Sequence, residues 1–512
     1  MATVFNPDTL YAFYKKARNL LRKFEPGSVT GHILNALHKA HTGGVEVLRH
    51  YQPWNLLLAL KWAIQEADAT AHRRPAATLN DVHRVLNIIH DMEAHVRMPS
   101  EFEHVTLFMR HMAFQQFWLH PPDGSALVRQ EILFGELPTG HAFQREFFEL
   151  AGFTVADSTE LSFALLVAFL SGSDPRVINR ADFANIEPRL SVGALDRFLR
   201  HLSRTPTQLR TWLNEPPIRQ VSVSDQFILP SPFLRAPLLN AEGRFFVYHP
   251  PLLFRALEEL AYRTLRSKDP EWFAQRFGPI FEQHVARCLA DARITAVPEE
   301  KSKTSLAGSG KCVDFLIVEN DCNVLIDAKG VEMSTVGRVS HEAEIVYRAV
   351  KDSAMKAIVQ GMDTVRRMRQ TPSERIPFGT HENYLLVVTF EPLHLGPSNE
   401  LGALFGSQLT RRLHRDFGEP LPFSLENVFF CSIGELERLL ARIRAGSTTL
   451  LAALRFAKQS DSDRTTRKFD FGQHVQELGP PADRLPFLED ALGRLCERCI
   501  QRLPPELRRA VK

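Results

Sequence analysis

The stretch KCVDFLIVENDCNVLIDAKG, Lys311–Gly330, decides how the second half of this chain is read. Two apolar runs, KCVDFLIV and NVLIDAKG, flank the polar tetrad ENDC. Asn and Asp tolerate left-handed backbone, so a tight turn centred on Asn320-Asp321 makes the two runs an antiparallel hairpin. In that register Glu319 faces Cys322, Leu316 faces Leu325 and Asp314 faces Asp327. Directly opposed residues project from one sheet face, with Cβ atoms about 5 Å apart. Lys329, two residues past Asp327, shares that face. Val313, Phe315, Ile317, Val324 and Ile326 cover the other face, and Leu316 and Leu325 add apolar bulk beside the carboxylates. The hairpin is therefore expected to be buried on both sides, with its charges gathered at one end.

Opposed carboxylates repel each other, so the cluster needs a compensating charge. A hard divalent cation supplies one. Mg²⁺ takes oxygen ligands, commonly one or two carboxylates, with water and substrate phosphate completing the shell. It polarises a phosphoryl oxygen and lowers the pKa of a bound water. A neighbouring ammonium can stabilise charge developing on the phosphate. Two acids and a lysine thus form a compact set for phosphodiester hydrolysis. By itself an Asp-x-Lys at a strand end is commonly a surface salt bridge worth little. Asp314 opposite Asp327, on a hairpin apolar on both faces, favours a site instead.

Around the hairpin, residues 271–445 alternate helix and strand. EWFAQRFGPIFEQHVARCLADA is a helix and RITAVPEE a candidate strand. EAEIVYRAVKDSAMKAIVQGMDTVRRMRQ is a long helix ended at Thr371-Pro372. NYLLVVTF and NVFFCSI are strands, and GELERLLARIRA closes the segment as a helix. The expectation is an α/β domain with a small sheet flanked by helices.

An Asp, twelve residues, then Asp-x-Lys, on a hairpin preceded by a glutamate-bearing helix, resembles the PD-(D/E)XK nuclease superfamily. The resemblance runs from 271 to about 390. It implies a restriction-endonuclease-like α-β-β-β-α-β core and metal-dependent cleavage that leaves a 5′-phosphate. It further implies Asp314 and Asp327 as metal-binding acids, Lys329 as the catalytic lysine and the Ala328 carbonyl as a backbone ligand. Glu282, in FGPIFEQHV, resembles the helical glutamate such nucleases use for metal or water. Periodicity alone puts it opposite the stripe Phe273, Phe277, Ile280, Phe281, His284 and Cys288, on the solvated side. Gln360 stands where many members carry a glutamine, as an accessory residue. Thr364 replaces the tyrosine that often follows it, and the proline of the family name is absent. The implied cofactor is Mg²⁺, with Mn²⁺ as a substitute. The implied partner is nucleic acid, DNA rather than RNA, in defence against foreign DNA or in DNA processing. Lys311, Arg338, Arg348, Lys351 and Lys356 are candidate phosphate contacts, although a charge run is usually a solvated face. The competing reading is a catalytically inactive nucleic-acid-binding or scaffold protein with a relict nuclease fold.

The 512 residues allow several domains, and a formal net charge of +3 neither requires nor excludes nucleic acid. Residues 1–215 read as helical, with Asp8 and Asn80 at expected N-caps. Residues 216–270 read as a β-rich connector with a hairpin turn at NAEG. The remainder, 446–512, reads as a helical tail with a loop or mobile linker at KQSDSDRTTRK. The expected class is therefore multidomain, a helical domain followed by an α/β domain. LSFALLVAFLSG is too short to span a bilayer, which needs roughly 20 apolar residues. No signal peptide is evident, and six scattered cysteines suit a reduced cytoplasmic compartment.

Three other patterns carry less. GSGKC lacks the first glycine of a P-loop and leads into a strand. CERC, Cys496–Cys499, is one CxxC without a second pair. His83, His90, Asp91 and His95 lack a distal acid for a metal-dependent phosphohydrolase. Homo-oligomers or a regulatory protein are compatible partners. A free nuclease would threaten its host, so gating by the helical domain is an expectation.

Overall fold

The computed structural model describes residues 6–68, 70–96, 105–116, 119, 124–170, 176–319, 321–372, 374, 379–480 and 482–503. The chain divides into two compact units. One holds Met1–Ser100, His111–Lys268 and Ala491–Lys512; the other holds Glu101–Arg110 and Asp269–Asp490. Helices dominate, with two small mixed sheets among the described residues.

Among the helices of the first unit, four near its start pack together: α1 (Pro7–Leu21), α2 (Pro26–Thr42), α3 (Pro53–Gln65) and α4 (Leu79–Glu93). Asn6, not Asp8, caps α1 by accepting from the Asp8 and Thr9 N–H groups. Thr78, not Asn80, caps α4, with Asp81 reciprocating. In both cases a residue just upstream has the extended backbone that a cap requires. Helix α3 is buried along nearly its whole length and contacts α1, α2 and α4. Leu10, Ile33, Trp62 and Ile89 meet in this core.

The same unit carries a sheet of β1 (Val177–Ile178), β2 (Ser203–Arg204), β3 (Leu238–Ala241) and β4 (Arg244–Val247), ordered β1-β4-β3-β2. β3 and β4 form the hairpin expected at NAEG. Glu242 and Gly243 both take positive φ there, 54° and 79°. Residues 216–270 are therefore not a separate connector. Their hairpin is completed by strands from 177–178 and 203–204, so the segment up to Lys268 belongs to the helical unit.

The second unit opens with α5 (Pro270–Asp291), followed by β5 (Val297–Pro298), α6 (Glu299–Ser305), β6 (Phe315–Glu319) and β7 (Cys322–Lys329). Then come α7 (Ala354–Gln370), β8 (Glu382–Thr389), β9 (Val428–Ser432) and α8 (Ile433–Arg444). The sheet order is β5-β6-β7-β8-β9, antiparallel from β5 to β7 and parallel from β7 to β9. Central β8 is buried on both faces from Asn383 to Thr389, as a strand covered on both sides must be. Asn323 of β7 donates to Asn383 of β8, and Asn427 donates to the Asn383 carbonyl. These bonds fix register at the sheet end away from the charges. Asn320 of the hairpin turn lies outside the described residues.

Residues 446–490 pack into this unit rather than forming a separate tail. α9 (Leu450–Ser462) and α10 (Phe471–Glu477) bury Leu450, Leu454, Ala457, Phe471 and Val475, and Phe471 meets Phe429 of β9. The polar KQSDSDRTTRK segment is not a slack linker. Ser460 and Thr466 exchange side-chain-to-carbonyl bonds at 2.7 and 2.9 Å, and buried His474 pairs with Asp461 at 2.8 Å. Among the described residues no single helix is long and apolar enough to cross a membrane, and one strongly bent helix pair, Ala142–Ala151 with Val155–Phe169, reaches that composition only jointly.

Buried His249 and part-buried His201 are expected to make the first unit acid-sensitive. Burial, then Arg204, holds His201 down to about 4; burial, then His41 and His38, holds His249 down to about 3. Each takes up a proton on unfolding, but not while folded, between pH 6.5 and its folded value of about 4 for His201 or about 3 for His249. Stability therefore falls as pH drops through that range, by up to about 1.4 kcal/mol per pH unit per group. Urea unfolding of this unit at about pH 7 and about pH 5 should show the loss, and His249→Gln should shrink it. Equal midpoints at both pH values would contradict the assignment.

Candidate active site

The β6–β7 ladder pairs Phe315 with Ile326, Leu316 with Leu325 and Glu319 with Cys322, the register read from the sequence. One step further, at the open end, Asp314 lies opposite Asp327. Asp314 has left the ladder's hydrogen bonding and turned its carboxylate to the neighbouring strand, where Oδ2 accepts from the Ala328 N–H at 2.6 Å. Asp327 is fully buried and ion-pairs with Lys329. Apart from that pair, neither Asp327 oxygen has a hydrogen-bond partner. Burial pushes its carboxyl up to about 7, with Lys329 opposing and Asp314 adding to the rise. Asp314 is raised as well, by burial first, with Lys329 and the Ala328 N–H opposing.

Glu282 is half-buried rather than solvated. Its carboxyl is raised by burial, then by Asp314 and Glu299, while Lys329 opposes. Helix α5 therefore brings it into the field of the hairpin charges. The apolar stripe was a correct guide to which side of α5 is core. It said nothing of how closely the flank of that helix approaches the end of β7. Gly330 permits the approach, since a Cβ there would lie 2.9 Å from a Phe277 ring carbon.

Glu299 was missed. β5 pairs with β6 through Val297–Leu316 and Pro298–Phe315, so Glu299 continues the row beside Asp314. Its N–H donates to the Asp314 carbonyl at 2.8 Å. Glu299, just past β5, and Asp314, just before β6, thus stand in line with Asp327 of β7, and Glu299 also pairs with Lys303 at 2.7 Å. The only sequence clue was the acidic end of RITAVPEE, whose register is not legible without β6.

Gln360 does not enter this row. Its Nε2 donates to the Cys312 carbonyl at 3.1 Å, and its buried Oε1 has no hydrogen-bond partner. Thr364 accepts from the Val313 N–H at 3.1 Å and donates to the Gln360 carbonyl at 2.8 Å. Together they tie α7 to the two residues that lead into Asp314. Exposed Lys356, one turn before Gln360, is close enough to pull the Asp327 carboxyl down. Arg338 is engaged within its own loop, with the Met333 carbonyl at 3.0 Å and Glu332 at 3.4 Å. Arg348 is exposed and lies 3.7 Å from Glu344, and the side chains of Lys311 and Lys351 are exposed.

The weaker patterns resolve physically. In the GSGKC loop the carbonyls of Ala307, Gly308 and Gly310 all accept from the Arg367 guanidinium. A loop that gathers carbonyls around a cation is the reverse of a phosphate cradle. His83 bonds Tyr51, His90 pairs with Glu93 and His95 stacks on Phe13, so these histidines have separate partners. The Cys499 thiol lies 3.9 Å from the Glu160 carbonyl as its acceptor. Comparison with known protein families, curated proteins and solved structures returned no match.

The brace from α7 is testable apart from any activity. Thr364→Val preserves volume but leaves the buried Val313 N–H without its acceptor, a cost of about 1–3 kcal/mol. Urea unfolding of the second unit should register that loss. A change within a few tenths of a kcal/mol would show that the brace is dispensable.

Proposed function

We propose that the second unit is a metal-dependent nuclease whose site is built from Glu282, Asp314, Asp327 and Lys329. The observation that carries this reading is the fully buried Asp327, short of hydrogen-bond partners, set opposite Asp314 with an ammonium alongside. Burying a carboxylate so poorly partnered costs several kcal/mol, which a purely structural strand end has no reason to sustain. Apart from the short α6 inserted after β5 and two short helices before α7, the order helix, three strands, helix, strand, from α5 through β8, is the one the PD-(D/E)XK resemblance implies.

The donor set suits a hard cation. Carboxylate oxygens from Asp314 and Asp327, with Glu282 alongside and the Ala328 carbonyl as the backbone ligand that the resemblance implies, match Mg²⁺ or Mn²⁺. When bound, such an ion polarises the scissile phosphoryl group and acidifies an attacking water. The chain's own residues do the rest. Asp327 holds the Lys329 ammonium at the mouth of the site, where it stabilises the charge that builds on the phosphate. Half-buried Glu282, with its raised proton affinity, is suited to accept a proton from the water. Exposed Lys356 offers a phosphate contact beside the site. DNA is the favoured substrate and RNA the second choice, in defence or DNA processing. The relict reading predicts binding of nucleic acid without metal-dependent cleavage.

The test uses the full chain with supercoiled, linear and single-stranded DNA and with RNA, in Mg²⁺, Mn²⁺ or chelator. Cleavage should require metal and fall at least about 100-fold in Asp327→Asn and Lys329→Met, a loss typical for removal of one charge-stabilising group. Wild-type cleavage that survives in both variants would sink the assignment, and metal-independent binding without cleavage of any substrate would favour the relict. Independently, Mg²⁺ should raise the melting temperature of the second unit, because a ligand that binds only the folded state stabilises it. Asp327→Asn should lose that shift.

A further inference from the structure

A second donor cluster lies on the same helix α5 and is chemically unlike the first. His284 and Cys288 are four residues apart on α5, hence neighbours on one helix face. Glu437 reaches them from α8. One donor atom from each lies within 4.8 Å of the other two. All three side chains are buried, at 3%, 0% and 5% exposure. His284 Nε2 and Glu437 Oε1 are 2.8 Å apart, and His284 Nδ1 is buried without a hydrogen-bond partner.

We propose that His284, Cys288 and Glu437 form a buried site for a borderline-soft divalent metal, zinc by preference, which clamps α5 to α8. Three considerations lead there. Imidazole, thiolate and carboxylate are the donors zinc takes, at about 2.0–2.3 Å each. Mg²⁺ and Ca²⁺ take oxygen sets instead, so the two clusters on α5 select different metals. The charge closes as well. A thiolate and a carboxylate with a neutral imidazole carry two negative charges, which one divalent ion cancels, and a dry interior tolerates only a neutral ensemble. Finally, donors around a tetrahedral ion sit roughly 3.3–3.8 Å apart at those bond lengths. The donors, now within 4.8 Å of one another, need only about an ångström of adjustment to reach that spacing.

Loading is balanced in protons. Cys288 releases its thiol proton to solvent as the metal–sulfur bond forms. Glu437 exchanges its contact with the ring for the metal, and the neutral imidazole keeps its one proton on the nitrogen that does not coordinate. With three protein donors, the fourth position would fall to a solvent molecule entering with the ion. Because the site is enclosed in the core, its role is structural. It would brace the helix that carries Glu282, two residues before His284. Metal-free, His284 and Glu437 keep their 2.8 Å contact beside the buried Cys288, so the fold does not require loading.

The probe is the metal alone. Full-length protein is refolded with one equivalent of Co²⁺, then with Zn²⁺ as competitor, and followed by absorbance. A thiolate-to-cobalt charge-transfer band that zinc erases is expected, with about one zinc per chain retained after gel filtration. Cys288→Ala should abolish the band. Glu437→Gln, nearly isosteric, should weaken binding about 10–100-fold, as loss of a ligand or its support does. Asp327→Asn and the double variant Cys496→Ala/Cys499→Ala should leave the band intact. No band and no retained zinc in the wild type would overturn the proposal. So would a band that persists in Cys288→Ala or disappears with Cys496 and Cys499. Should Cys288→Ala fail to fold by circular dichroism, the wild-type stoichiometry and Glu437→Gln still decide. None of these readouts depends on nuclease activity.

Discussion

The opposition of Asp314 and Asp327 across one hairpin is the constraint around which the second unit is arranged. Two carboxylates at that spacing repel, and Asp327 has no solvent to screen it. The surroundings answer the repulsion piece by piece. Asp314 leaves the ladder and takes the Ala328 N–H, while Lys329 stays against Asp327. Gln360 and Thr364 of α7 hold the chain entering Asp314, so that its departure from the ladder is a fixed bend. What remains uncompensated is proton affinity. Asp314, Asp327 and Glu282 are all raised, by burial first, with neighbouring carboxylates adding to the rise and Lys329 opposing it. A cation at this place, as proposed, would relieve both the burial of Asp327 and its opposition to Asp314.

How much of this was legible depended on the range of the interaction involved. The β6–β7 register follows from a short turn and two apolar runs, so the pairing of Asp314 with Asp327 could be read directly. The NAEG hairpin was readable for the same reason. Glu299 was not, because its place beside Asp314 rests on a two-residue strand paired to a partner many residues away. Glu282 was legible only through resemblance. A helical stripe reports which side faces the core and not what lies along its margin. The division of the chain was misjudged where sequence texture changed without a change of core. β3 and β4 look like a connector but complete a sheet begun before them. The polar run after Lys458 looks like a linker but closes on its own hydroxyls and on the Asp461–His474 pair.

Helix α5 is where local and long-range demands meet. Residues two apart on a helix point to nearly opposite sides, so Glu282 and His284 belong to different neighbourhoods. Glu282 feels the hairpin charges, while His284 meets Glu437 of α8 in the core. The side toward the hairpin collects oxygen donors around an ammonium, where water and a phosphate would have to enter. The side toward α8 collects nitrogen, sulfur and oxygen in a closed space. Hard and soft donor sets favour different ions. If the proposed sites load, a single helix is anchored by one chemistry through His284 and presents another through Glu282.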